Sequence, residues 1–315
     1  MLPRVAVLTL AAMLAFAALA DAATAEPVAL TFDDLPAMAL DGTPWNAAQT
    51  TRRLLAGLHR HRFPAIGFVT GEFMEGARLR EGQAVLSAWI AAGHELGNHT
   101  YSHNSLNHTP VADYIADVRR EDATLRPLLR ARGRSLLWFR HPYLETGATL
   151  SDKRAFESWL AGAGYRIAPV TMENSDYLFS PLYDDALRRH DRHAAARVRL
   201  AYLDYTRRVV PWYREAGLAL FGRRPAAVFL LHACRLNADV VDDLAAILKA
   251  NELQPVALSE ALADPAYTTP DDYVDPDGDE WLSRWSQLLG RELPWETFPE
   301  PPADIAAESA RLDPA

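Results

Sequence analysis

Apolar residues in this chain gather into short unbroken runs, and the stretches between the runs carry them at helical spacing. The run at 28–32, β-branched and aromatic, stops at Asp33 and Asp34 and predicts a first strand. Further runs predict strands at 65–70, 94–98, 136–139, 165–172 and 226–231, with a short last one at 254–258. Between them, 46–61 places Leu54, Leu55 and Leu58 at helical spacing. Residues 83–92 predict a helix that Gly93 stops, and 111–131 one that Gly133 ends. Helices are also predicted at 152–163 and 239–250. Residues 184–216 read as one long or broken helical region, rich in Arg, within an insertion (184–225) over the surface.

Seven strands alternating with helices imply βαβ units and a parallel sheet. Unbroken apolar runs, rather than alternating ones, fit strands covered on both faces. The expected fold class is therefore α/β, a distorted (β/α)7-type barrel, and no glycine-rich dinucleotide loop favours an open doubly wound sheet. From about residue 264 the composition turns acidic, Pro-rich and Trp-bearing. That predicts a barrel domain at 26–263 and a C-terminal appendage, 264–315, packed on it.

The first residues differ from the rest. Arg4 precedes a stretch, 5–20, that is apolar apart from Thr9, and small-x-small triplets follow at Ala18-Leu19-Ala20 and Ala23-Thr24-Ala25. This predicts a signal peptide over 1–25, cleaved after Ala20, Ala23 or Ala25. No later stretch reaches the roughly 18 apolar residues of a membrane-spanning helix. The expectation is an exported protein, periplasmic or secreted, with no stable membrane anchor after signal cleavage.

Composition narrows the function classes. The chain has 315 residues, 49% hydrophobic and 23% charged, which suits one large core. Its net charge of −9 argues against a nucleic-acid partner, since phosphate binding wants a basic face. Cys234 is the single cysteine, so no intrachain disulfide can form, and it reads as core packing.

The chemistry concentrates at strand ends. His99 and His103, four apart, are expected on one face of a helical turn, where both imidazoles reach one metal ion. In the H-E-x-x-H pattern a Glu beside the first His is the base; here Thr100 stands there, so the base must come from elsewhere. Asp33 and Asp34 are the candidates. Adjacent residues leaving a strand point in opposite directions, so one can ligate while the other takes a proton from water. Arg140 follows the fourth strand, Asp176 lies just past the fifth, and His232 follows the sixth. In a barrel such ends form one rim, where active sites are built. Three protein ligands with open positions describe a catalytic zinc site. His94, His108 and His141 read as structural or solvent-facing, and Trp281 and Trp285 as packing of the tail.

Four stretches, Thr31-Phe32-Asp33-Asp34, His99-Thr100-Tyr101-Ser102-His103, Arg140-His141-Pro142-Tyr143 and Leu230-Leu231-His232, resemble motifs of the NodB-like polysaccharide deacetylases, carbohydrate esterase family four. The resemblance spans about residues 28–258. It implies a metal-dependent hydrolase that removes N-acetyl groups from an amino-sugar-containing glycan, using one divalent ion, Zn2+ or alternatively Co2+. Residue by residue, it implies Asp33 as general base and Asp34, His99 and His103 as the metal ligands. Arg140 would orient the base, Pro142 and Tyr143 would form the substrate and oxyanion wall, and His232 would be the general acid. The sequence departs from the family's fourth motif, D-x-x-D-W, having only Asn174-Ser175-Asp176-Tyr177 there, with Asp176 as the candidate partner of His232. His141 stands where the family often has Pro. The alternatives are a hydrolase of a non-sugar amide or imide on the same scaffold, and a non-catalytic carbohydrate-binding protein.

Overall fold

A computed structural model describes residues 25–39 and 46–312. The predicted signal peptide, apart from its last residue, lies outside the described residues. Seven parallel strands form one sheet: β1 (Glu26–Leu35), β2 (Ala65–Val69), β3 (Glu95–Asn98), β4 (Trp138–Phe139), β5 (Arg166–Ile167), β6 (Ala227–His232) and β7 (Leu253–Pro255). Their order is β5-β4-β3-β2-β1-β6, with β7 pairing the start of β1. The sheet curls: beyond β5, Met172 bridges Phe229 of β6, and the N–H groups of Thr171 and Met172 donate to the Val228 carbonyl. The (β/α) barrel expected from the alternation of runs and helices is thus present in distorted form.

The helices of the alternation are α1 (Ala47–His61), α2 (Leu79–Ala91), α3 (Val111–Arg130) and α4 (Leu150–Gly162). They are followed by α5 (Asp176–Arg188), α6 (Arg192–Phe221), α7 (Arg235–Asp239), α8 (Val241–Ala250) and α9 (Leu258–Ala261). Two more, α10 (Trp281–Leu289) and α11 (Ala303–Leu312), lie in the C-terminal segment. The long helical region expected at 184–216 is two helices. The chain turns between them at His190, whose φ is 57°, and Asp191 caps α6 by accepting from the Ala194 N–H. No helix among the described residues is long and apolar enough to cross a membrane.

Strand alternation sorts the apolar residues into two cores. Val28, Leu30 and Phe32 of β1 face the helices, in the larger core. Ala29 of β1, Ile66 and Phe68 of β2, Trp138 of β4 and Val228 of β6 fill the inside of the curled sheet, and Leu258 and Ala261 of α9 join them. Gly97 of β3 shares that interior because a Cβ there would collide with the Phe68 ring. Both faces of every central strand are covered, which is why the runs are unbroken in sequence. The register then aligns the strand ends, with Asp33 opposite His232, Val69 opposite Asn98, and Asn98 opposite Phe139.

Candidate active site

By the same parity, residues two beyond the inner core positions open into the mouth of the sheet. Asp33 continues Ala29 and Thr31, Arg140 continues Trp138, and His232 continues Val228 and Leu230. His99 follows Gly97 in the same way. All four line or underlie one cavity of about 530 Å³, whose floor also holds Asp34 and His103.

Asp34, His99 and His103 offer ligand atoms that all lie within 4.8 Å of one another. Asp34 Oδ1 is 3.4 Å from His103 Nε2 and 3.8 Å from His99 Nε2. Tetrahedral bonds of about 2.0–2.1 Å set ligand atoms about 3.3–3.4 Å apart, so this set fits one ion after a small contraction. The tautomer agrees. His99 Nδ1 is 2.9 Å from the Arg140 carbonyl, which can only accept, so Nδ1 carries the proton and Nε2 keeps its lone pair. Burial holds His99 neutral, with its pKa lowered to about 4, the form a ligand requires. Burial works against the Asp34 carboxylate, but His103, His232 and His99 around it, with the Thr70 hydroxyl at 3.3 Å, bring its pKa below the usual range.

Two local expectations are corrected here. Residues 99–103 are not a helical turn: Thr100 and His103 have φ of 67° and 52°, left-handed values that break a helix. The loop is held from outside. The Asn98 side chain accepts from the Thr100 N–H, and Asp117 of α3 accepts from the N–H groups of Tyr101 and Ser102 and from the Ser102 hydroxyl. The two aspartates do not diverge either. Asp33 Oδ2 and Asp34 Oδ1 lie 3.7 and 3.8 Å from the same His99 nitrogen. Asp34 has φ of 63° and the β1–β2 register shifts between Phe32 and Leu35, which turns a residue of outward parity back into the mouth.

Arg140 is fully buried. Its Nη1 donates to both Asp33 oxygens at 3.1 and 3.3 Å, its Nη2 to Thr31 Oγ1 at 3.1 Å, and its Nε to the Ala168 carbonyl at 2.8 Å. The guanidinium stacks on Phe68 at 4.7 Å. With no freedom left in Arg140, Asp33 has one orientation. His141, the neighbour of Arg140, is buried against Phe139 and Phe156, and burial drives its pKa well down.

On the opposite wall, His232 Nδ1 is 2.6 Å from Asp176 Oδ1. Asp176 opens α5, and its Oδ2 accepts from the His232 N–H at 2.7 Å and from the Asn237 side chain. Burial disfavours the imidazolium, yet Asp176 beside it, helped by Asp34 and Asp33, carries the His232 pKa up to about 10. The ring is thus charged at neutral pH, with Nε2 left for the cavity.

Pro142 and Tyr143 begin the turn after β4, where Tyr143 (φ 55°) and Leu144 (φ 58°) are both left-handed. The Tyr143 ring meets His103 edge-on at 4.6 Å. The C-terminal segment clamps this turn. Buried Arg284 of α10 donates to the Leu144 carbonyl and to Thr146 Oγ1 at 3.0 Å, and buried Lys153 of α4 pairs with Asp271 at 2.8 Å.

Sequence reasoning missed part of the cavity. Glu173 lines it and stands three residues before Asp176, the spacing of the first acid in D-x-x-D-W, so a Glu-for-Asp reading was available. Gly278, Asp279, Glu280, Ser283, Trp295 and Phe298 also line it, all from the C-terminal segment, and nothing in their spacing announces this. Trp281 and Trp285 are instead buried against the barrel.

Comparison with known proteins follows the same outline. A family described as polysaccharide deacetylase matches residues 20–157. A chitin deacetylase of Colletotrichum lindemuthianum is 29% identical over 150 residues, 48% of this chain and 52% of that protein. A chitin deacetylase of Pestalotiopsis sp is 27% identical over 149 residues, 47% of this chain and 43% of that one. The chain therefore spans about half the length of the curated relatives it matches. Among solved structures, that of the Colletotrichum lindemuthianum chitin deacetylase superposes with a TM-score of 0.51 at 22% identity, over 80% of this chain and 92% of that one. A mutant CE4 family pseudoenzyme with restored enzymatic activity gives 0.51 at 18% identity, over 75% and 67%. The family match contains Asp33 through Tyr143 and ends before Asp176, His232 and the C-terminal segment.

Proposed function

We propose that this chain is a NodB-like polysaccharide deacetylase, a metal-dependent hydrolase that removes N-acetyl groups from an amino-sugar-containing glycan. One observation carries the reading: Asp33 and His232 are register partners on neighbouring strands, and the Asp34, His99 and His103 ligand atoms gather beside them in one cavity. An amide needs an activated water, a stabilised oxyanion and a proton for the departing nitrogen, and each requirement has a residue at that rim.

Asp34, His99 and His103 would hold one divalent ion, with zinc suited to the mixed carboxylate and imidazole set and cobalt as the substitute. Such an ion supplies Lewis acidity to the acetamide carbonyl and acidifies water. Asp33, fixed by Arg140, takes a proton from the attacking water. The Tyr143 backbone N–H, beside Pro142, donates to the oxygen that gains charge as the carbonyl becomes tetrahedral. His232, charged and held by Asp176, gives its Nε2 proton to the nitrogen as the C–N bond breaks. Acetate and a free amino sugar are the products.

Residues 26–263 form the deacetylase domain in this reading and 264–315 a tail on it, supported by the Arg284 and Lys153 contacts. Export to the periplasm or exterior rests on the N-terminal sequence and suits a glycan substrate. The test is acetate release from N-acetylated chitooligosaccharides with and without a chelator. Release that stops with chelator and returns with zinc supports the reading; no release from any of them rejects it.

A further inference from the structure

One wall of the cavity has no part in the proton transfers. It is built by α6 and by the chain after α10, and it carries Trp295, an indole left 50% exposed although it lines the cavity. Its backbone is fixed in the short 3-10 turn Trp295–Thr297. Buried Trp212 of α6 lies 5.2 Å from it at an interplanar angle of 35°, and donates its Nε1–H to the Pro294 carbonyl at 3.0 Å. Phe298 packs edge-on to Trp212 at 4.7 Å and reaches Trp295 at 5.9 Å. The indole is therefore immobilised from behind while half its surface is left to solvent.

An aromatic ring held rigidly beside a cavity offers a large contact area and loses little side-chain entropy on binding. Asp279 and Glu280 line the same cavity; Glu280 accepts from the Ser283 N–H and hydroxyl and Asp279 from the Glu280 N–H, and each carboxyl oxygen has a second lone pair for a ligand hydroxyl. A ligand for this wall must combine an apolar face for the indole with a rim of hydroxyl donors. A pyranose ring has both. Cavities of roughly 300–1,000 Å³ hold ligands of drug size, and the 530 Å³ here suits an occupant longer than one sugar.

We propose that Trp295 is the stacking platform of a second sugar subsite, which holds the ring next to the one that loses its acetyl group. The tail and α6 thereby make the enzyme prefer an oligosaccharide to a monosaccharide. This inference rests on the deacetylase reading, because it is that activity which places the first ring over the triad.

Binding is measured by calorimetry on the full chain with Asp33→Asn, so that no turnover intervenes, using tetra-N-acetyl-chitotetraose and N-acetylglucosamine. Adding Trp295→Ala should weaken the tetrasaccharide about tenfold, the equivalent of about 1.4 kcal/mol, and leave the monosaccharide unchanged. Trp295→Phe should recover most of the loss. An unchanged tetrasaccharide affinity overturns the proposal, and so does an equal loss on both sugars or no tetrasaccharide binding at all. Acetate release by the chain with Asp33 intact separates the two readings. Release with Trp295-independent binding rejects the subsite alone; no release with Trp295-dependent binding keeps the subsite and rejects the deacetylase.

Discussion

Gly278 lies so close to the Tyr143 carbonyl that a Cβ at residue 278 would overlap that oxygen. The contact joins the C-terminal segment to the turn proposed to carry the oxyanion donor. Gly278→Ala must therefore push the Tyr143 backbone away from the rim. A displacement of about 1 Å near the reacting atoms costs on the order of 10²-fold in rate, so kcat on an N-acetylated chitooligosaccharide should fall by about that factor. Metal content should not change. Parent-like kcat in a folded Gly278→Ala protein would remove Tyr143 from the machinery.

The two adjacent aspartates should separate by metal content. Asp34→Asn and His99→Ala should each lose the ion, because each removes one of three ligands. Asp33→Asn should keep it and lose about 10²–10⁴-fold in turnover, the usual contribution of a general base. Elemental analysis of the three proteins beside their rates decides the matter. A stoichiometric ion in His99→Ala, or its loss from Asp33→Asn, reverses the assignment.

His232 has a folded pKa of about 10 against 6.5 for the free side chain, raised chiefly by Asp176 against the opposing effect of burial. The ion pair therefore stabilises the fold fully below pH 6.5 and is lost as pH rises through 10. Asp176→Asn should lower the His232 pKa toward 6.5, read by NMR titration of the ring. The alkaline limb of the activity profile should move down with it. His232→Ala should cripple amide hydrolysis while sparing an activated aryl acetate, whose leaving group needs little protonation. Equal losses on the two substrates would exclude a proton donor.

Arg140 and Asp33 form an ion pair with almost no exposure on either side. Removing one partner strands the other charge. Arg140→Met should destabilise the protein by about 3–5 kcal/mol, measured by urea unfolding. Adding Asp33→Asn to it should recover part of that loss. Additive destabilisation in the double variant would mean that the two side chains stabilise the fold independently.

Much of the site was legible because a strand repeats every two residues. Asp33 lies near the end of β1, Arg140 just after β4 and His232 at the end of β6, on the side that alternation assigns to the inside of the sheet, and the motifs lie at those ends. Asp34 was not legible in this way, since parity sends it outward and only a left-handed backbone brings it back. The spacing of His99 and His103 suggested a helical turn, but four residues also span a loop when two of them take positive φ and Asp117 caps it from another helix. Glu173 was within reach of the sequence, had glutamate been allowed for aspartate. Trp295 and Gly278 were not, because what makes them part of the cavity is a contact with residues more than a hundred positions away, Tyr143 for Gly278, or a fold-dependent neighbour, Trp212 for Trp295.

The clamp on the Tyr143 turn also sets an order of events in biosynthesis. Every residue proposed as metal ligand, base or acid has been translated by the time His232 is made. The turn beside them still lacks Gly278 and Arg284, which contact it from the C-terminal segment. A chain that stops short of residue 284 should therefore carry all the proposed reactive groups while its Tyr143 turn lacks the Arg284 contact to the Leu144 carbonyl. The contacts that fix the Tyr143 turn thus come from residues translated after every residue proposed to react.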